Sequence, residues 1–200
     1  MPGHRSPRSG DRGAARRELT VDGLELQLAV NHLAYFLLTN LLLPQLLAGA
    51  PSRIINVSSG AHSHVGLDFK DLQSERAYDA RQVYSRTKLA NILFTYELAR
   101  RLGGTGVTVN CLTPGVVATR MLADYMGGSH GGRIVDSTFG ATPKQGAETS
   151  IYLAASPEVE GVTGKYFVDQ KPVSSSRVSY DAAAARRLWD LSARLTGLST

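Results

Sequence analysis

The 200-residue sequence is long enough for one domain, and its 42% hydrophobic residues can build a core. Its formal charge of +5 arises almost entirely in the N-terminal stretch up to Arg17, where five arginines oppose one aspartate, so the rest of the chain is nearly neutral. This distribution argues against a folded nucleic-acid-binding surface and leaves binding through the arginine-rich tail as a minor alternative. Cys111 is the only cysteine, which excludes an internal disulfide and indicates a reducing compartment.

The N-terminal segment, residues 1–18, is predicted to be a disordered, arginine-rich tail. Its composition weakly resembles a mitochondrial transit peptide, which is the alternative interpretation, but its prolines and glycines oppose the amphipathic helix that such peptides form. It contains no apolar stretch typical of a secretory signal. The longest apolar run, residues 33–48, is interrupted by Asn40 and Pro44 and is predicted to be too short to span a membrane. Residues 19–200 are predicted to form a single domain.

The first helix is predicted to begin at a capping box, in which Asp22 is the N-cap residue and Glu25 bonds back to it. Apolar residues at helical spacing extend this helix to about Leu47, and Pro44 disturbs its last turn. Asn31 lies in the middle of the helix, facing a largely apolar stripe. Because a buried asparagine needs hydrogen-bond partners, Asn31 is interpreted either as a structural cross-link or as part of a polar site.

Residues 53–60 combine β-branched apolar residues with a small polar ending, which predicts a strand that is buried on both faces and has Ser59 at its carboxyl end. Open α/β sheets bind ligands beyond the carboxyl ends of their strands, so this position suits a functional residue. The alternative is that Ser59 is only a turn former. Residues 60–83 are predicted to form a long polar connection.

The next helix is predicted to run from Tyr84 to about Leu102 and to stop at Gly103 and Gly104. Tyr84 and Lys88 are four residues apart, so both side chains lie on one face. A nearby ammonium favours the phenolate and lowers the pKa of a tyrosine from its ordinary value of about 10, which makes a usable general acid and base. The alternative is an exposed lysine one turn from a half-buried tyrosine.

Residues 107–112 are predicted to form a second strand, parallel to the first, in which Cys111 is an inert core residue. A glycine-rich loop over residues 116–140 follows, interpreted either as a lid over a ligand or as ordinary packing. A helix with a second capping box at Thr142 continues to about Ala155, and residues 164–169 form a third strand. A final helix over residues 181–195 docks through Leu188 and Trp189. This pattern indicates an α/β fold.

Several segments together resemble the short-chain dehydrogenase/reductase family and, within it, the retinol dehydrogenase-like enzymes. The resemblance extends from about Thr20 to the C-terminus. The segments that carry it are Asn31-His32-Leu33 with Phe36-Leu37-Leu38-Thr39, Arg53-Ile54-Ile55-Asn56-Val57-Ser58-Ser59, Tyr84-Ser85-Arg86-Thr87-Lys88-Leu89-Ala90-Asn91, Pro114-Gly115-Val116-Val117-Ala118-Thr119, Gly164-Lys165-Tyr166-Phe167 and Arg187-Leu188-Trp189.

The resemblance implies a catalytic set of Asn31, Ser59, Tyr84 and Lys88. Tyr84 would exchange a proton with the substrate oxygen while hydride passes to or from nicotinamide, and Ser59 would hydrogen-bond the same oxygen. Lys88 would lower the pKa of Tyr84 and hold the nicotinamide ribose. Asn31 would hold a water that links Lys88 to solvent.

The resemblance also implies NADP or NAD as cofactor, with NADP favoured by the subgroup, and no metal. The cofactor-binding residues would be Tyr84, Lys88, Pro114, Gly115, Val117 and Thr119. The substrate would be a small apolar alcohol or its carbonyl compound, and the helices of Asn31 and Tyr84 would form a homo- or heterodimer. The resemblance does not select among the cytoplasm, the endoplasmic reticulum and the mitochondrion.

One part of the family pattern is missing from the sequence. Family members begin with a strand and a glycine-rich turn that approaches the pyrophosphate, whereas Gly3, Gly10 and Gly13 here follow no strand. We therefore expect a partial Rossmann-like, doubly wound parallel sheet of about three strands, corresponding to the C-terminal half of the fold. We also expect this chain to bind the cofactor weakly or not at all. The alternative to an active oxidoreductase is an inactive fragment that serves as a dimerisation partner of a full-length relative.

Overall fold

A four-stranded sheet with helices on both faces forms the part of the chain that the computed structural model describes, residues 16–117 and 140–198. The strands are β1 (Ser52–Val57), β2 (Val107–Leu112), β3 (Tyr166–Val168) and β4 (Lys171–Val173). The main helices are α1 (Leu26–Ala48), α2 (Ala80–Arg101), α3 (Pro143–Ala155) and α4 (Ala182–Thr196). Short 3-10 helices occur at Gly60–His64, Pro157–Val159 and Arg177–Tyr180.

The strand order is β1-β2-β3-β4, with β1, β2 and β3 parallel. Val57 pairs with Leu112, so the carboxyl ends of β1 and β2 lie at the same edge of the sheet. Strand β3 is shorter than predicted, and the antiparallel strand β4 was not predicted. Asp169 and Gln170, both with positive φ, make the two-residue turn between these strands without the Asn-Gly signature that would reveal it in the sequence.

Helices cover the sheet on both sides, which confirms the doubly wound arrangement. On one face Ile54 and Val109 pack with residues of α2 and α4, including Leu98 and Trp189. On the other face Ile55, Val57 and Leu112 pack with Leu153 of α3. Strand β1 lies at the edge of the described sheet, and its Ile55 and Val57 are only partly buried, so the prediction that it is buried on both faces was wrong.

Helix α1 begins differently from the prediction. Its N-cap residue is Glu25, whose two carboxylate oxygens accept hydrogen bonds from the Gln27 and Leu28 backbone N–H groups at 2.9 and 2.6 Å. Asp22 belongs instead to a preceding turn at Gly23, where φ is +77°. Glu25 is fully buried. The prediction assigned the cap to the wrong acidic residue because this turn precedes the helix rather than starting it.

The predicted tail, residues 1–18, overlaps the described part of the chain at residues 16–18. Arg17 Nε donates to the Gln73 carbonyl at 2.9 Å, and the Glu18 carbonyl accepts from the Leu26 N–H at 2.9 Å. These two residues therefore contact the start of α1 and the 60–83 connection. Residues 1–15 lie outside the described part of the chain.

A π-helical segment, Ala29–Leu33, interrupts α1 and contains Asn31. The continuous helix has 23 residues and is long and apolar enough to cross a membrane, by length and composition alone. The sequence argument against a span was wrong on length, because it counted only the run from Leu33 and omitted the preceding turns. A core helix of a folded protein passes the same test, and Phe36 and Leu33 of α1 are buried in this fold.

Helix α2 starts one turn earlier than predicted, because Asp79 is its N-cap residue and accepts from the Gln82 N–H at 2.8 Å. Tyr84 therefore lies in the second turn. The predicted end near Gly103 is confirmed, as are the capping box at Thr142 and the course of α3 to Ala155. Helix α4 runs one residue beyond the prediction and ends at Gly197, whose φ of +68° suits glycine.

Three aromatic residues, Phe36, Phe94 and Trp189, join α1, α2 and α4 in the core. Their ring centroids are 5.0 to 5.8 Å apart. Cys111 is completely buried, and burial raises the pKa of its thiol to about 12. Its interpretation as an inert core residue is confirmed, since a thiol with this pKa is not a nucleophile near neutral pH.

Candidate active site

Ser59 lies two residues beyond the end of β1, at the edge where the carboxyl ends of the strands meet. Its side-chain oxygen accepts from the Ala61 N–H at 3.3 Å, so it caps the 3-10 helix Gly60–His64. The interpretation of Ser59 as a turn former is therefore confirmed, and its functional role at this edge of the sheet stays a prediction.

His62 fixes the backbone at Ser59. Its Nδ1 lies 2.7 Å from the Ser59 carbonyl, and its Nε2 accepts from the Ser176 N–H at 3.1 Å. A backbone N–H can only donate and a carbonyl can only accept, so the ring is neutral with its proton on Nδ1. Burial lowers the pKa of His62, which favours that neutral form. The sequence analysis did not single out this residue.

Tyr84 and Lys88 lie on the same side of α2. The Lys88 ammonium nitrogen is 5.4 Å from the centroid of the Tyr84 ring. Lys88 is only 8% exposed, and Tyr84 is half-buried. The alternative of an exposed helix lysine is therefore wrong, because this cation is held inside the protein beside the ring.

Burial lowers the pKa of Lys88, since removal from water disfavours the charged form. The ammonium donates one long hydrogen bond, 3.4 Å, to the Val57 carbonyl. An ammonium has three donors, so Lys88 can bind further acceptors. The neighbouring Ser58 hydroxyl donates to the Lys88 backbone carbonyl at 2.8 Å and ties the end of β1 to α2.

Asn31 cross-links α1 to α2 one residue from Lys88. Its side-chain nitrogen donates to the Thr87 hydroxyl at 3.2 Å, and its backbone carbonyl accepts from Asn91 Nδ2 at 2.9 Å. The interpretation as a structural cross-link is confirmed, and the part of Asn31 in a polar site stays a prediction. Asn91 was quoted in the resemblance without a role, and its spacing of three residues from Lys88 is the signal that could have identified it.

The segment after β2 supplies the predicted cofactor-binding residues. Gly115 has φ of +75°, and its N–H donates to the Thr113 hydroxyl at 3.3 Å. Val117 pairs with Ala141 in an isolated parallel bridge, close to the first turn of α3. Pro114 is half-buried. Thr119 and most of the predicted 116–140 loop lie outside the described residues.

The residues present suit the nicotinamide-ribose end of a dinucleotide. Lys88 offers spare donors at the carboxyl end of β1, and Gly115 is exposed three residues after the carboxyl end of the neighbouring strand β2. In residues 16–117 and 140–198, no strand leads into a Gly-x-Gly-x-x-Gly turn that could hold a pyrophosphate.

Comparisons with known proteins agree with this geometry. The family model described as short chain dehydrogenase matches residues 10–126, more than half of the chain. Retinol dehydrogenase 14 of Homo sapiens is 50% identical over 188 residues, covering 90% of this chain and 54% of that protein. Retinol dehydrogenase 13 of Homo sapiens is 48% identical over 187 residues, covering 90% of this chain and 56% of that protein. The chain thus spans about half the length of the curated relatives it matches.

A solved structure shows the same fold. The crystal structure of an uncharacterized protein from Mycobacterium paratuberculosis superposes with a TM-score of 0.69 at 32% identity, covering 92% of this chain and 63% of that one. The motifs, the doubly wound sheet and the matching family model lead to one conclusion. This chain belongs to the short-chain dehydrogenase family and is similar in sequence to its retinol dehydrogenases.

Proposed function

We propose that this chain carries the catalytic residues of an NAD(P)-dependent oxidoreductase that interconverts an apolar alcohol and its aldehyde or ketone. The single observation that carries the proposal is the buried Lys88 ammonium 5.4 Å from the Tyr84 ring, at the carboxyl edge of the sheet. A cation held there favours the phenolate and prepares Tyr84 for proton transfer near neutral pH.

Each of the proposed catalytic residues has a role in this reaction. The Tyr84 hydroxyl donates its proton to the substrate oxygen during carbonyl reduction and recovers it during alcohol oxidation. The Ser59 hydroxyl, at the end of β1, donates to the same oxygen and stabilises its developing charge. When bound, the nicotinamide cofactor supplies or accepts the hydride. Lys88 uses its remaining donors to hold ribose hydroxyls.

Asn31 supports a proton path from this site. Its backbone carbonyl accepts from Asn91, and a carbonyl oxygen has a second lone pair that can accept from water. Such a water would connect Lys88 to solvent and replace the proton that Tyr84 donates. Pro114, Gly115, Val117 and Thr119 would hold the nicotinamide carboxamide, as the family resemblance implies.

The apolar substrate class rests on the similarity to two retinol dehydrogenases, since retinol is a largely hydrocarbon alcohol. We propose NADP rather than NAD as the preferred cofactor, on the same resemblance. Because the sequence contains no Gly-x-Gly-x-x-Gly turn, we propose that the 200-residue chain binds this cofactor weakly.

The test is NADPH oxidation at 340 nm with all-trans-retinal in detergent micelles, at millimolar cofactor to compensate for weak binding. Tyr84→Phe should abolish turnover, whereas Tyr152→Phe should retain it, because the hydroxyl of Tyr152, on α3, donates to Glu158 in the 3-10 helix Pro157–Val159 at 3.0 Å. Turnover that survives Tyr84→Phe would contradict the assignment. Equal turnover of short polar aldehydes would contradict the apolar substrate class.

A second candidate is a non-catalytic role as a dimerisation partner of a full-length relative. It is favoured by the outer face of α1, where Val30, Leu38 and Leu41 are 57–60% exposed. Exposed apolar patches often mark protein interfaces. Leu38→Lys with Leu41→Lys should then abolish co-purification with that relative and leave the fold intact. A protein that shows no retinal turnover but loses its partner in this variant would favour the second candidate.

A further inference from the structure

A buried chain of three polar side chains lies directly behind the Tyr84–Lys88 pair. His32 of α1, Asn91 of α2 and Ser192 of α4 are all completely buried. Burying polar groups is unfavourable unless each finds partners, so the orientation of every group in this chain matters.

The partners of Asn91 fix its orientation. Its Nδ2 donates to the Asn31 backbone carbonyl at 2.9 Å and to the Val57 carbonyl at 3.3 Å. Because both partners are carbonyls, which can only accept, the amide nitrogen must face them and the amide oxygen must face the other way.

His32 and Ser192 hold that orientation from behind. His32 Nδ1 lies 3.2 Å from Asn91 Oδ1, so it must carry the ring proton and donate. His32 Nε2 then accepts from the Ser192 hydroxyl at 2.9 Å. Hydrogen-bond donation thus runs in one direction, from Ser192 through His32 and Asn91 to two backbone carbonyls.

Those two carbonyls belong to the elements that carry the proposed catalytic residues. The Asn31 carbonyl lies in the π-helical segment of α1, and the Val57 carbonyl, two residues before Ser59, also accepts from the Lys88 ammonium. Asn91 itself lies one turn beyond Lys88 on α2. One side chain therefore joins α1, which carries Asn31, α2, which carries Lys88, and the last residue of β1, two residues before Ser59.

We propose that Asn91, oriented by His32 and Ser192, is a positioning residue for the Tyr84–Lys88 pair. This inference rests on the proposed function of that pair. Asn91 and the Lys88 ammonium donate to the same Val57 carbonyl, so Asn91 fixes the acceptor that holds Lys88 beside Tyr84. Without Asn91 this acceptor is no longer held in place, the ammonium is less well fixed beside Tyr84, and the phenolate is less favoured.

The experiment is an ultraviolet titration of tyrosinate at 295 nm, which needs neither cofactor nor substrate. Subtracting the curve of Tyr84→Phe from that of the unmodified chain isolates the titration midpoint of Tyr84. The same subtraction is made in an Asn91→Leu background, and we expect the midpoint to rise by about half a pH unit to one unit. The matched control is Asn110→Leu, since Asn110 is a buried asparagine that bonds Val162 and Lys165 on the other side of β2.

The outcomes separate this inference from the proposed function. If Lys88→Met fails to raise the Tyr84 midpoint, the proposed function fails. If Lys88→Met raises the Tyr84 midpoint but the midpoint in Asn91→Leu is the same as in the control Asn110→Leu, Asn91 is only structural and the inference is refuted. If Asn91→Leu does not fold, Ser192→Ala replaces it, with a smaller rise expected and an unchanged midpoint refuting the inference.

Discussion

The substitution Lys88→Met should make the folded chain more stable while it removes the proposed activity. Lys88 is 8% exposed, and its charge is held by one long hydrogen bond of 3.4 Å. Incompletely satisfied buried donors cost about 1–3 kcal/mol, more when charged, but the remaining exposure lets water offset part of this. We therefore expect methionine, which fills the same space without the charge, to stabilise the chain by about 1 kcal/mol.

The stability gained by Lys88→Met should depend on pH in a direction that can be measured. Because burial lowers the pKa of Lys88, the unfolded chain binds more protons than the folded chain between that lowered pKa and the ordinary value of 10.5. The destabilisation is fully present below the lowered pKa and disappears as the pH rises to the ordinary value. The advantage of Lys88→Met should therefore be largest near neutral pH and shrink in alkaline solution.

The assay is thermal unfolding followed by circular dichroism at several pH values. An increase of about 2–4 °C in Tm is expected at pH 7 for about 1 kcal/mol in a domain of this size. Lys165→Met, at an exposed lysine, is the control and should leave Tm unchanged. A lower Tm for Lys88→Met at pH 7 would refute the reasoning, since it would mean that the ammonium stabilises the fold rather than serving a site.

Three further predictions follow from the same structure. Burial lowers the pKa of His32 from 6.5 to about 4, so between these pH values the unfolded chain binds one more proton than the folded chain. As the pH falls from 6.5 to 4, this residue should therefore lower the free energy of unfolding by about 1.4 kcal/mol per pH unit. Urea titrations should show this contribution, and His32→Phe should remove it. Burial raises the pKa of Cys111 to about 12, so iodoacetamide should alkylate the native thiol about 100-fold more slowly than the unfolded one, and equal rates would contradict its place in the core. Fluorescence titration of the 200-residue chain with NADPH should give a Kd above about 0.1 mM, because the given sequence has no Gly-x-Gly-x-x-Gly motif to hold the pyrophosphate. Micromolar affinity would contradict this expectation.

Local signals explain what the sequence predicted well. The capping box at Thr142, the glycines after α2 and the β-branched run of β2 act within a few residues, so they locate their elements directly. The pair Tyr84 and Lys88 is equally local, since helical geometry alone places both on one face. The short strand β4 lacked such a signal, because its turn residues Asp169 and Gln170 are not the ones that usually adopt positive φ.

Contacts between distant segments explain the rest. His32 and Ser192 are 160 residues apart, and His62 and Ser176 are 114 apart, so no window of sequence contains both partners. The burial of Lys88 likewise follows from packing of α1 and β1 against α2. Glu25 was misassigned for a local reason, because the turn at Gly23 determines which carboxylate caps α1.

The most direct test of the central claim, that Tyr84 and Lys88 form a working site for hydride transfer chemistry, is isotopic. The chain is incubated with all-trans-retinal and NADPH carrying deuterium at both C4 positions, and the retinol formed is analysed by mass spectrometry. We predict one deuterium on the carbon that bears the hydroxyl group, formed by the unmodified chain and by Tyr152→Phe but not by Tyr84→Phe or Lys88→Met. No labelled retinol from the unmodified chain at saturating cofactor, or equal labelling by Tyr84→Phe, would contradict the claim.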